Sequence, residues 1–316
     1  MKEFKRQVNR IARAVLFYNI LLLAVILGDT LIQSVRLILE HPDEAQLSKA
    51  LHQLELSIGL YGGPSIIGIA IGILFLILYF RRDNMKTCIL ASVEKMRVSV
   101  FLQAACVLLG FQFLFSVASI GFENGLNAFG YTIMGDVESA TSGSTTISMF
   151  LYASLLGPAA EEIVYRGFVL QSLKSHGKEF AIIVSSVLFG VMHGNFIQGM
   201  FAFCVGIVLA YITIEYSIYW AILLHIINNC VMGDIWPHLI SGFSANVQTV
   251  LNWGIISVFF AGGLLVLWRN RIKLKRYVTE HMAPKKYYRY AFTSIWMILF
   301  LGIEFLAALS GIQKLP

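Results

Sequence analysis

Nine apolar runs dominate the chain, at about 15–37, 57–80, 98–122, 146–173, 180–196, 198–215, 218–233, 248–268 and 290–310. Most approach the ~20 residues that a helix needs to cross a bilayer. The pattern predicts an all-α, polytopic transmembrane helix bundle of eight to nine spans, with residues 1–316 forming one membrane domain. The fifth to seventh runs are short and closely spaced, which suits a re-entrant or tilted arrangement. The polar stretches near 40–56, 123–145 and 269–289 are too short to bury a soluble core.

Composition agrees: 57% of the 316 residues are hydrophobic and 13% charged. The net charge of +6 is then a statement about loop orientation, and no nucleic-acid partner is expected. Lys and Arg concentrate in 1–14, 81–97, 174–178 and 269–289, whereas 40–56, 123–145 and 234–247 carry only Lys49. With nine spans these groups alternate sides, which predicts a cytoplasmic N-terminus and an external C-terminus. The basic-then-apolar start resembles a signal peptide, but no small-residue cleavage site follows, so the first helix is expected to be retained. Cys88, Cys106, Cys204 and Cys230 show no paired spacing and read as free thiols.

The polar residues inside the apolar runs carry the chemistry. Glu161, Glu162 and Arg166 lie in the middle of the fourth run. A charge at bilayer centre costs roughly 2.5–3.5 kcal/mol on insertion scales. Glu162 and Arg166 are four apart and share a helical face, so they can pair. Glu161 points about 100° away and has no partner within sequence reach. Pro158 precedes them, and if the helix breaks at Gly157-Pro158 both glutamates lie in the first turn of a new segment. The fifth run places Phe189 and His193 four apart, and the seventh does the same with His225 and Asn229. Polar groups at membrane depth persist where they meet one another or line a wet cavity. One shared polar cavity holding Glu161, Glu162, Arg166, His193, His225 and Asn229 is the economical reading. A carboxylate and an imidazole beside one water can deprotonate it. A second imidazole and an amide can donate to the oxygen of a carbonyl under attack. The sum is hydrolysis of an acyl bond with no Ser or Cys nucleophile. The same side chains could ligate zinc, but no HExxH spacing favours a metal, and no cofactor is expected.

The segments Glu161-Glu162-Ile-Val-Tyr-Arg166, Phe189-Gly-Val-Met-His193 and His225-Ile-Ile-Asn-Asn229 resemble the EExxxR, FxxxH and HxxxN motifs of the CPBP family. These are the type II CAAX prenyl endopeptidases and their bacterial, abortive-infection-like relatives. The resemblance covers 146–233, read as a catalytic core. It implies a glutamate-type intramembrane endopeptidase, usually described without a metal, although a metalloprotease assignment has also been made for the family. Carried over by position, Glu161 activates water with His193, Glu162 and Arg166 support the site, and His225 and Asn229 form the oxyanion hole. The implied substrate is a small membrane-associated peptide or protein tail, and the implied location a bacterial plasma membrane, multi-pass.

Plainer readings stand beside these. Glu162–Arg166 can be a structural pair. Asn228 reads as a helix–helix hydrogen bonder and is left out of the site. Glu304 is membrane-buried without an account. A non-catalytic partner of a membrane sensor or immunity system, or a transporter with a proton relay, would also hold such residues. On straight helices Glu161 lies about 20 Å, and His193 about 5 Å, from the outer ends of their runs. A shared site therefore requires the fifth helix to stop short or shift toward the cytoplasm.

Overall fold

The computed structural model describes residues 2–40, 43–81, 89, 92–141 and 143–315. Cys88, Arg82 and Lys86 lie outside the described residues. The helices are α1 (Lys2–Glu40), α2 (Glu44–Ser57), α3 (Gly63–Tyr79), α4 (Val98–Asn127), α5 (Met134–Thr141), α6 (Ile147–His176), α7 (Lys178–Val191), α8 (Phe196–Glu215), α9 (Ile218–Ile240), α10 (Ala245–His281), α11 (Lys285–Phe292) and α12 (Ile295–Ser310). Two short strands, β1 (Tyr131–Thr132) and β2 (Gln313–Lys314), pair antiparallel with Tyr131 opposite Lys314.

The chain is an all-α, multi-pass integral membrane protein. Among the described residues six helices are long and apolar enough to cross a bilayer: α1, α4, α6, α8, α9 and α10. The bent pair α11–α12, with 66° between its halves, makes seven if it counts as one span. The expected eight to nine is therefore slightly high. The difference lies in two runs. The 57–80 run yields α3, whose 17 residues reach about 26 Å at 1.5 Å each. The 180–196 run yields α7, whose 14 residues reach only about 21 Å, short of a ~30 Å hydrocarbon core. Apolar composition marks what avoids water; it does not say where a turn cuts the helix.

Small residues let these helices approach closely, the usual device where no water drives association. A Cβ on Gly72 of α3 would fall 2.5 Å from the Tyr18 ring of α1. A Cβ on Gly190 of α7 would fall 2.6 Å from the Gly199 carbonyl of α8. One buried cluster joins α1, α6, α7 and α11; a second joins α4, α8 and α9. α6 runs between them and touches α3, α7 and α9.

The two ends of the bundle differ. At one end Phe4 packs between His176 and Tyr287, with ring centroids 4.8 and 4.7 Å away. Gln7 donates to the Ser172 carbonyl at 2.6 Å. Lys178 pairs with Glu215 at 2.8 Å, and Tyr277 donates to the same carboxylate at 2.6 Å. The basic segments 1–14, 174–178 and 269–289 thus converge. At the other end β2 closes on β1, Glu123 accepts from Thr132 at 2.6 Å, and Thr146 donates to the Leu60 carbonyl at 2.6 Å. The N- and C-terminal segments lie at opposite ends.

Candidate active site

The geometry begins at Pro158. It has no N–H, and the N–H of Gly157 is taken by the Tyr152 carbonyl. The Ala153 carbonyl is left without its α-helical partner. A wide π turn, Leu151–Leu156, absorbs the mismatch, and a second, Ile163–Leu170, follows the glutamates. Such turns recur at functional sites because they add a residue to the helix and re-aim its side chains. Here the freed Ala153 carbonyl accepts from Asn229 Nδ2 at 3.1 Å. α6 and α9 are therefore joined by a backbone defect in one and an amide in the other. The expected result of Pro158→Ala is a normal or raised melting temperature with reduced turnover. The restored N–H lets the helix reclaim carbonyls of this turn, and a thermal melt read beside a cleavage assay checks it.

Glu161 and Glu162 occupy the short α-helical stretch Gly157–Glu162 between the π turns. Their divergence is bridged by one ring. His225 Nδ1 lies 2.9 Å from Glu162 Oε1, and its Nε2 lies 3.7 Å from Glu161 Oε2. Glu161 does have a partner, on another helix, where no sequence spacing could show it. Glu162 is fully buried and also meets Arg166 Nη1 at 3.2 Å. The guanidinium stacks 4.1 Å from the centre of the Phe189 ring. A Cβ on Gly206 would sit 3.1 Å from Arg166 Nη2, so this cation is walled in by α8 and has no route to a substrate. Its nitrogens make no aligned hydrogen bond to any described residue, so Glu162 holds it by charge.

His193 is delivered by a turn. α7 ends at Val191, Gly194 adopts φ +56, and Asn195 caps α8 by accepting from the Gln198 N–H at 3.0 Å. The left-handed φ favours glycine. His193 Nδ1 lies 2.8 Å from the Phe189 carbonyl. A carbonyl only accepts, so Nδ1 carries the hydrogen and the neutral ring presents the Nε2 lone pair. The Phe189 ring stands edge-on to His193 at 5.1 Å and to His225 at 5.7 Å. The FxxxH spacing is thus one contact surface: carbonyl to one histidine, ring to both, face to the arginine. Glu161, partly exposed with 23% of its side chain accessible, lies within electrostatic reach of His193 and of Tyr18, Tyr152 and Tyr165.

The structure therefore brings Glu161, Glu162, Arg166, His193 and His225 around one centre, with Asn229 held at its α6 wall. Three further neighbours were left out of the expected site. Asn228, set aside as a helix–helix bonder, donates to Asn229 Oδ1 at 3.0 Å and accepts from Gln112 of α4 at 3.2 Å. Tyr165 is fully buried, and its hydroxyl has no described hydrogen-bond partner. Glu304 of α12 accepts from Asn19 of α1 at 2.9 Å, and its Oε2 lies 3.8 Å from where a Cβ on Gly194 would stand. Glu304 was visible in the sequence as an unexplained intramembrane carboxylate; its partner was not. Among the described residues no group of three or more His, Cys, Asp and Glu is arranged to hold a metal ion.

Residues 143–231 match the family described as type II CAAX prenyl endopeptidase Rce1-like. This stretch contains all three motifs, and it is the family that they resemble. No curated protein and no solved structure matches the chain.

Proposed function

We propose that this Rce1-like membrane protein is a glutamate-type intramembrane endopeptidase, cutting a peptide bond in a small membrane-associated peptide or protein tail. The observation that carries the reading is the single His225 ring set between Glu161 and Glu162, which joins the first motif to the third. In the proposed reaction Glu161, assisted by the Nε2 lone pair of His193, takes a proton from water. The hydroxide attacks the carbonyl carbon. The resulting oxyanion accepts from His225 Nε2 and Asn229 Nδ2. Collapse breaks the C–N bond, and the proton held by Glu161 passes to the leaving amine. Water and one peptide bond yield a carboxylate and an amine. With Glu162 accepting at Nδ1, a His225 ring that also donates from Nε2 carries a hydrogen on both nitrogens.

This reading assigns no step to a metal. It puts the convergent basic end of the bundle in the cytoplasm, following the bias of Lys and Arg toward that side. The test is peptidomic. Membrane-bound and released peptides are compared between cells carrying the wild type and Glu161→Ala. The expected result is a set of fragments absent from the variant. Identical profiles would favour a non-catalytic partner of a sensor or immunity system, in which the polar cluster serves folding.

A further inference from the structure

The oxyanion role needs the Asn229 amide to present N–H, not C=O, to the substrate. Nothing in an asparagine fixes this by itself, since its two ends have nearly the same shape. The surroundings fix it here. Asn229 Nδ2 faces the Ala153 carbonyl at 3.1 Å. That carbonyl is acceptor-only and is open because Pro158 has no N–H and Gly157 bonds elsewhere. The Asn229 amide must therefore turn its nitrogen to α6 and its oxygen away. The oxygen meets Asn228 Nδ2 at 3.0 Å. Asn228 then has its own oxygen outward, and Gln112 Nε2 donates to it at 3.2 Å. Turning Asn229 alone would set carbonyl against carbonyl at Ala153 and nitrogen against nitrogen at Asn228, and turning the whole row would still leave the clash at Ala153. Each amide thus has one allowed direction, and the row runs from α4 through α9 to α6.

The local fold makes the row possible. Adjacent residues on a regular helix point about 100° apart. The π turn Asn228–Ile235 begins at this pair. Asn228 is buried, at 5% exposure. Its amide oxygen and one amide hydrogen are both spent on this row, a cost that a merely space-filling residue would not incur. With one Asn229 hydrogen on Ala153, the second is left to donate.

We infer that Gln112 and Asn228 are positioning residues for Asn229, an amide row whose direction holds the second Asn229 N–H toward the scissile carbonyl. The inference rests on the endopeptidase reading for its purpose and on the hydrogen-bond directions for its existence. Gln112 lies outside the matched segment 143–231, so the row ties the site to a helix beyond it.

The experiment reads both parts. Full-length protein in nanodiscs is labelled with ¹⁵N-asparagine. The Asn229 side-chain signals are assigned by their loss in Asn229→Ala, and cleavage of an internally quenched farnesyl-CAAX peptide is followed in parallel. Gln112→Glu replaces the terminal donor by an acceptor and opposes the whole row. It should move the Asn229 amide signals and lower kcat by about 10-fold with KM unchanged, short of the roughly 10²–10³ for removing an oxyanion donor outright. Gln112→Met keeps the bulk and removes only the donor, so it should give a smaller change of the same sign. It decides the matter if the carboxylate variant does not fold. Unmoved Asn229 signals in both variants, or moved signals with unchanged kcat, overturn the inference. If the wild type leaves the peptide uncut, a prenylated tail is not its substrate, and the amide signals alone decide whether the row exists.

Discussion

Glu161→Gln should leave membrane yield and melting temperature unchanged and lower turnover by about 10²–10⁴, the usual weight of a general base. The substitution keeps the shape of the side chain and removes its basicity. Little stability is at stake, because the carboxylate is partly exposed and its contact with His225 Nε2, at 3.7 Å, is longer than a hydrogen bond. The Glu162–His225 bond, at 2.9 Å, survives and keeps the ring in place. Yield, thermal melt and peptide cleavage on one preparation check all three. Near wild-type cleavage by Glu161→Gln would move the base to another residue, with His193 the first to test.

Glu162→Gln should fail differently. Glu162 is fully buried and holds Arg166 on one side and His225 on the other. Neutralising it removes the charge that offsets a guanidinium shut off from solvent and without an aligned acceptor among the described residues. Breaking a buried pair in this way costs about 3–5 kcal/mol. The expected outcome is a fall in folded yield and in melting temperature together with lost activity. Adding Arg166→Leu removes the stranded charge and should restore part of the yield but not the activity, since the His225 Nδ1 partner stays weakened. A double-mutant cycle on melting temperature measures the coupling. Additive losses would show that the pair contributes nothing as a pair.

What could be read from the chain followed from local periodicity. Four-residue spacing put Glu162 against Arg166 and Phe189 against His193, because a helix brings i and i+4 together wherever it lies. The three motifs were legible for the same reason: each is a single helical turn. Contacts between turns were beyond that reach. His225 touching both glutamates depends on how α9 lies against α6, and the Gln112–Asn228 bond on how α4 lies against α9. Apolar length also overstated the spans, because it cannot register the positive φ of Gly194 that ends the fifth run early. Pro158 was read as a helix break, but α6 runs on through it by widening into a π turn, and the carbonyl it frees is taken by Asn229.

The bond between Asn19 and Glu304 joins the first long helix to the last. α12 also supplies the wall against which the His193–Gly194 turn rests. A chain emerging from the ribosome has made all three motifs well before it has made α12. Until α12 inserts, the turn bearing His193 lacks its neighbours Glu304 and Ala307. The order of synthesis thus sets the order of support: Glu162, Arg166 and His225 can meet before α12 exists, whereas the His193–Gly194 turn gains its α12 contacts only afterwards.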